Sequence, residues 1–158
     1  MVSTNKINMI LELTAEAFSE PPQSEMLAFL AKRKEEHDYV PSEEWFQCEI
    51  ARKFDNKGWS TTFKNKKKRD CDFIIDDIGI ELKISTSFTY KGNRRLFDAI
   101  KRQHKNADCW MLITKYDKTK MRNMSDELCS DFPDMKLSYA AIPCPKWCVI
   151  VVARKSDP

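Results

Sequence analysis

Glycine is scarce in this chain: three occur in 158 residues, at positions 58, 79 and 92. Loops that wrap phosphates through backbone N–H groups need several glycines close together, so nucleotide-binding loops of that kind are excluded. Histidine is scarcer still, with only His37 and His104. No apolar run approaches the roughly 20 residues of a membrane helix. The opening stretch, MVSTNKINMILEL, lacks the apolar core and small-residue cleavage site of a secretory leader. The expectation is an intracellular protein, cytoplasmic or nucleoid-associated, with no membrane partner. The six cysteines are irregularly spaced and include no CxxC pair. Cys144 and Cys148 can offer two zinc ligands, but nothing nearby supplies a second pair. Reduced thiols, several of them inside apolar runs, are the better reading.

What is present fits one globular domain: 42% hydrophobic and 32% charged residues, with a formal net charge of +3. The distribution of charge says more than its sum. Lys64, Lys66, Lys67, Lys68 and Arg69 crowd into one short stretch, and Lys91, Arg94, Arg95, Lys101 and Arg102 form a second cluster. Basic runs are ordinarily solvated loops. Two of them flanking a group of carboxylates point instead to a phosphate-bearing partner.

Periodicity predicts two helices within residues 1–38, carrying Ile7, Ile10, Leu11 and Phe18, then Met26, Leu27, Phe29 and Leu30. This segment reads as an N-terminal helical extension, residues 1–40, that covers the core or docks a second copy or a protein partner. A helix over 41–57 follows, with Ser42 as its N-cap, Phe46, Ile50 and Phe54 as its buried stripe, and Gly58 as its stop. WSTTF reads as a strand and 71–85 as a hairpin. Residues 94–106 read as a helix, 109–116 and 148–155 as strands, and 117–135 as a loop. The fold class is α/β, a mixed sheet flanked by helices.

The hairpin carries the chemistry. Side chains alternate faces along a strand, so Phe73, Ile75, Ile80, Leu82 and Ile84 share one apolar face. Asp72, Ile74, Glu81, Lys83 and Ser85 share the other. A two-residue turn at Asp77-Ile78, or a four-residue turn over 76–79, sets Asp72 opposite Lys83 with Glu81 one pleat away. An outer face that is merely solvated is the plain alternative. In an α/β pattern both sheet faces are usually covered, and two carboxylates forced together there need a cation or a proton. Two carboxylates, a backbone carbonyl (that of Leu82) and waters suit Mg²⁺ or Mn²⁺. Lys83 beside such an ion can orient or help deprotonate an attacking water, which is the chemistry of metal-assisted phosphodiester hydrolysis.

Asp72-x8-Glu81-x-Lys83 on a hairpin resembles the core motif of the PD-(D/E)xK nuclease superfamily, which includes restriction endonucleases, archaeal Holliday-junction resolvases and virus-type replication-repair nucleases. The proline that usually precedes the first Asp is replaced here by Cys71. The resemblance spans about residues 42–116. It implies a restriction-endonuclease-like core over 41–158 and a Glu on the upstream helix that points into the site. Glu43 lies near the apolar stripe, and Glu43-x3-Gln47 followed by Gly58-Trp59 matches the pattern of similar enzymes. Gln47 is then a supporting residue and Glu44 the fallback, while Glu49 falls toward the far side. The same resemblance assigns Lys66, Lys67, Lys68 and Arg69 to the nucleic-acid backbone. Ser85, Thr86 and Ser87 are further candidates for phosphate contact, and Arg95 or Gln103 on the next helix is placed to reach the site, Arg95 as a nucleic-acid contact. No separate sequence-reading module is visible, so the expected activity is a structure-directed or weakly specific nuclease. An endonuclease is favoured over an exonuclease, and DNA over RNA. A nuclease-fold binding or assembly module that no longer cuts is the competing reading, and a structural salt-bridge cluster in a protein-interaction domain is a third.

Overall fold

The structure, a computed structural model, describes residues 1–37, 42–63, 71–85, 90–103, 106–143 and 146–155. Its elements are α1 (Thr4–Ala17), α2 (Gln23–His37), α3 (Glu43–Asn56), β1 (Thr61–Phe63), β2 (Phe73–Ile75) and β3 (Ile78–Ser85). These are followed by α4 (Tyr90–Gln103), β4 (Cys109–Lys115), α5 (Lys118–Asp131), β5 (Met135–Ile142) and β6 (Trp147–Arg154).

The six strands form one mixed sheet in the order β1-β2-β3-β4-β6-β5. All neighbours are antiparallel except β3 and β4, which run parallel and are joined through α4. Helices cover both faces. On one side Ile7, Ile10 and Phe18 of the α1 segment, Leu27 of α2, and Phe46, Ile50 and Phe54 of α3 pack on Phe73, Ile75, Ile80, Leu82, Met111 and Val149. On the other, Leu96, Phe97 and Ile100 of α4 and Met121, Met124 and Leu128 of α5 pack on Trp110, Leu112, Ile150 and Val152. That double coverage explains the near-continuous apolar runs of β4 and β6. Residues of the first helices thus share one core with the α3 stripe. The five described cysteines are free. Burial pushes the Cys109 and Cys148 thiols up to about 12, so these two act as small hydrophobes.

Phe46 has no exposed surface and stands 5.3 Å from the Phe18 ring and 4.8 Å from Trp45, ring centre to ring centre. It is a joint between α3 and the N-terminal segment. Phe46→Ala should cost about 3–5 kcal/mol of stability, lost transfer energy plus an unfilled cavity. A denaturant titration in which this variant matched the parent would show that the N-terminal segment does not share the core.

Three expectations are corrected. Residues 117–135 are not a loop: they contain α5, capped by Asp117, whose Oδ1 accepts the Lys120 N–H at 3.0 Å. Its buried stripe, Met121, Met124 and Leu128, has helical spacing but only three apolar members among charged neighbours. The following segment, 135–142, is an edge strand buried chiefly at its two ends, so it shows little alternation to read. The hairpin turn is Asp76-Asp77, not Asp77-Ile78 or 76–79, because Phe73 pairs with Ile80 and Ile75 with Ile78. Asp76 takes the left-handed conformation at φ 50° and is tied to β1, its Oδ1 accepting the Ser60 N–H at 3.1 Å. This register keeps Ile78 on the apolar face, 5% exposed. Ser42 occupies the N-cap backbone position, but its hydroxyl bonds the Glu44 carboxylate instead of a helix N–H.

Candidate active site

The corrected register shifts the hairpin by two residues, which leaves the faces unchanged. Continued one step past Phe73–Ile80, it sets Asp72 across from Glu81, with Lys83 one pleat further along β3. Because β2 begins only at Phe73, the backbone of β3 runs on beyond its antiparallel partner from Leu82. Carboxylates occupy the positions a longer strand would fill. The Leu82 N–H donates to Asp72 Oδ2 at 2.7 Å, and the Ile84 backbone favours the charged form of the nearby Glu43 carboxyl. A strand-end N–H therefore aims the Asp72 side chain.

Lys83 is the centre of the cluster. Its Nζ lies 2.7 Å from Glu81 Oε1, 3.0 Å from the Leu82 carbonyl oxygen, 3.8 Å from Glu43 Oε2 and 4.0 Å from Asp72 Oδ2. Side-chain exposure is 7% for Glu81, 15% for Lys83, 18% for Asp72 and 33% for Glu43, so the charges are partly shielded from water. Burial is the main cause that raises the Glu43 carboxyl above its ordinary value; Lys83 opposes the rise and Asp72 adds to it.

The sign of that shift gives a prediction. A carboxyl raised above 4.5 holds more protons folded than unfolded, so stability falls as pH rises from 4.5 through the folded-state value. The penalty persists above that window and is absent below 4.5. In EDTA, Glu43→Gln should melt higher than the parent at pH 7 and equally at pH 4. A gain at both pH values, or at neither, would remove burial of the Glu43 charge as the cause.

Glu43 thus stands at the cluster, whereas the fallback Glu44 is exposed and held by Ser42. Gln47, one turn further along α3, is half-buried. Glu49 is engaged elsewhere, bonded by Gln23 and Arg52. Ser85 is half-buried at the end of β3, on the Glu81/Lys83 face. Lys66, Lys67, Lys68, Arg69, Thr86 and Ser87 lie outside the described residues.

Arg95 lines an open depression of about 570 Å³ together with Glu43, Lys83, Asp98, Lys101 and Arg102. Residues 95, 98 and 102 are spaced three and four apart on α4, so one helix face forms a wall with two guanidinium groups beside the carboxylates. That spacing was available in the sequence, yet Arg102, Lys101 and Asp98 were not placed at the site from it. What links them is the parallel crossover, which lays α4 beside the end of β3.

Chemically, the cluster offers hard oxygen donors, one ammonium and a cationic wall. The donor set of Asp72, Glu81, Glu43 and the Leu82 carbonyl suits Mg²⁺ or Mn²⁺. Among the described residues, however, no three His, Cys, Asp or Glu side chains stand ready-gathered around a metal position. The cation these oxygens now share is the Lys83 ammonium. Comparison with protein-family models, with curated proteins and with solved structures finds no match to this chain. Among the described residues, no helix is long and apolar enough to cross a membrane.

Proposed function

We propose that the protein is a Mg²⁺- or Mn²⁺-dependent nuclease of the PD-(D/E)xK type, an endonuclease acting on DNA in preference to RNA. The observation that carries this is the convergence of Asp72, Glu81 and Glu43 within 4.0 Å of the Lys83 ammonium, beside the cationic face of α4. The order of elements supports it too. Helix α3, the antiparallel run β1-β2-β3, and the α4 crossover to parallel β4 are what a restriction-endonuclease-like core requires.

In this reading Asp72, Glu81 and the Leu82 carbonyl would hold the ion, with Glu43 as an outer or second-ion carboxylate and Gln47 supporting it. Held there, a divalent ion would supply Lewis-acid polarisation of the scissile phosphoryl group and make the attacking water more acidic. Lys83, once free of Glu81, has three donors with which to orient the attacking water and steady charge on the phosphoryl oxygens. Water adds to phosphorus and gives up a proton, the phosphorus–oxygen bond to the leaving sugar oxygen breaks, and that oxygen takes up a proton in return, so the proton count is unchanged. Arg95, Lys101 and Arg102 neutralise neighbouring phosphates, with Ser85 and the Lys66–Arg69 stretch as further backbone contacts. Contacts of this kind position a strand without reading its bases, which fits structure-directed or weakly specific cleavage.

A second reading is favoured by the short Lys83–Glu81 pair at 2.7 Å: a nuclease fold kept as a nucleic-acid-binding or assembly module, its former site closed by a salt bridge. A panel of labelled single-stranded, duplex and branched DNA and RNA, incubated with Mg²⁺ or Mn²⁺ and with EDTA, decides between them. Cation-dependent cutting of a DNA member supports the nuclease. Binding to the panel with no cutting under either cation supports the silent module.

A further inference from the structure

We propose that Lys83 is the resident counter-ion of its own carboxylate cluster. In the metal-free protein its ammonium balances Asp72, Glu81 and Glu43, and it leaves Glu81 whenever a divalent cation is bound there. The second half rests on the metal-dependent reading above; the first does not.

Shape and charge balance are held by different groups. Asp72 is fixed by the Leu82 N–H, so this carboxylate keeps its place whether or not an ammonium is present. A neutral backbone donor leaves the three formal negative charges around Lys83 uncancelled, at 7%, 18% and 33% exposure. Among the described residues, Lys83 is the cation that lies within 4.0 Å of all three, at 2.7, 3.8 and 4.0 Å. Its Nζ also bonds the Leu82 carbonyl at 3.0 Å, so it touches every kind of donor the site could give a metal ion. Two cations cannot share Glu81 Oε1 and the Leu82 carbonyl at such distances without strong repulsion. Lys83 is therefore a competitor for the metal position as well as a positioning residue for it. The exchange would couple ion binding to release of the ammonium.

The test is thermal melting in EDTA, with Mn²⁺ binding measured by calorimetry, on the intact chain. Lys83→Met should melt lower than the parent in EDTA, bind Mn²⁺ about tenfold tighter or more, and regain its melting temperature when Mn²⁺ is added. Lys83→Arg should keep the parent's melting temperature in EDTA without the gain in Mn²⁺ affinity, which a purely steric role would not produce. Should Lys83→Met fail to fold, the double variant Glu81→Gln/Lys83→Met takes its place: removing one carboxylate should restore folding in EDTA. An unchanged melting temperature for Lys83→Met, or a double variant no better than the single, overturns the counter-ion role. Weaker Mn²⁺ binding by Lys83→Met than by the parent overturns the competition. Absence of Mn²⁺ binding by parent and variant alike defeats the metal-dependent reading, while the EDTA melts still decide the counter-ion role.

Discussion

Asp72→Asn should lower the rate of Mg²⁺-dependent cleavage by at least ~10³-fold while the protein still folds. The asparagine side chain keeps an oxygen to accept the Leu82 N–H now bonded at 2.7 Å, so the hairpin end keeps its shape. It loses the negative charge, and with it the hard anionic donor that faces Glu81 across the register. A neutral amide oxygen in that place binds a divalent ion weakly and does little to favour the charge build-up of hydrolysis. The expected signature is a large loss of rate with no loss of melting temperature in EDTA. A variant cutting within a few-fold of the parent would take Asp72 out of the mechanism. A collapsed melting curve would show instead that its carboxylate is a structural tie.

The second large effect concerns substrate affinity. Arg95, Lys101 and Arg102 line the depression that opens onto Glu43 and Lys83. Each lost Lys or Arg contact to a duplex phosphate flattens the plot of log K against log salt by about 0.9. Replacing all three with alanine should therefore flatten the slope by about 2–3 and weaken binding roughly 10²–10³-fold near 0.1 M salt, equally for unrelated sequences. These residues are exposed on α4, so stability should hardly change. An unaltered slope would mean the wall is merely solvated and the strand follows another path. Charge reversal at Lys66, Lys67 and Lys68 provides the parallel test for the basic stretch before Asp72.

Part of this arrangement was legible in the sequence because it depends on parity and spacing alone. Strand alternation puts Asp72, Glu81 and Lys83 on one face for any even turn, so a register wrong by two residues still grouped them correctly. The four-residue spacing of Phe46, Ile50 and Phe54 fixed which side of α3 is buried, and Glu43 follows from that stripe. The register itself was not legible: it turns on Asp76 adopting a left-handed conformation secured by Ser60, a tertiary contact. Nor was α5, where three apolar residues among charged ones give a faint helical signal. The α4 wall needed the parallel crossover to bring residues 95–102 beside residues 81–83, across a separation that periodicity does not report. That the Leu82 N–H of β3 aims Asp72 follows from where β2 begins, and no sequence pattern marks that point.

The most direct test of the central claim is single-turnover cleavage of labelled duplex and branched DNA with Mn²⁺, parent and Lys83→Ala side by side. Mn²⁺-dependent cutting by the parent, absent in EDTA and lost in Lys83→Ala, is the result the site geometry predicts. Cutting that persists in Lys83→Ala at the parent's rate, or that proceeds in EDTA, would contradict it.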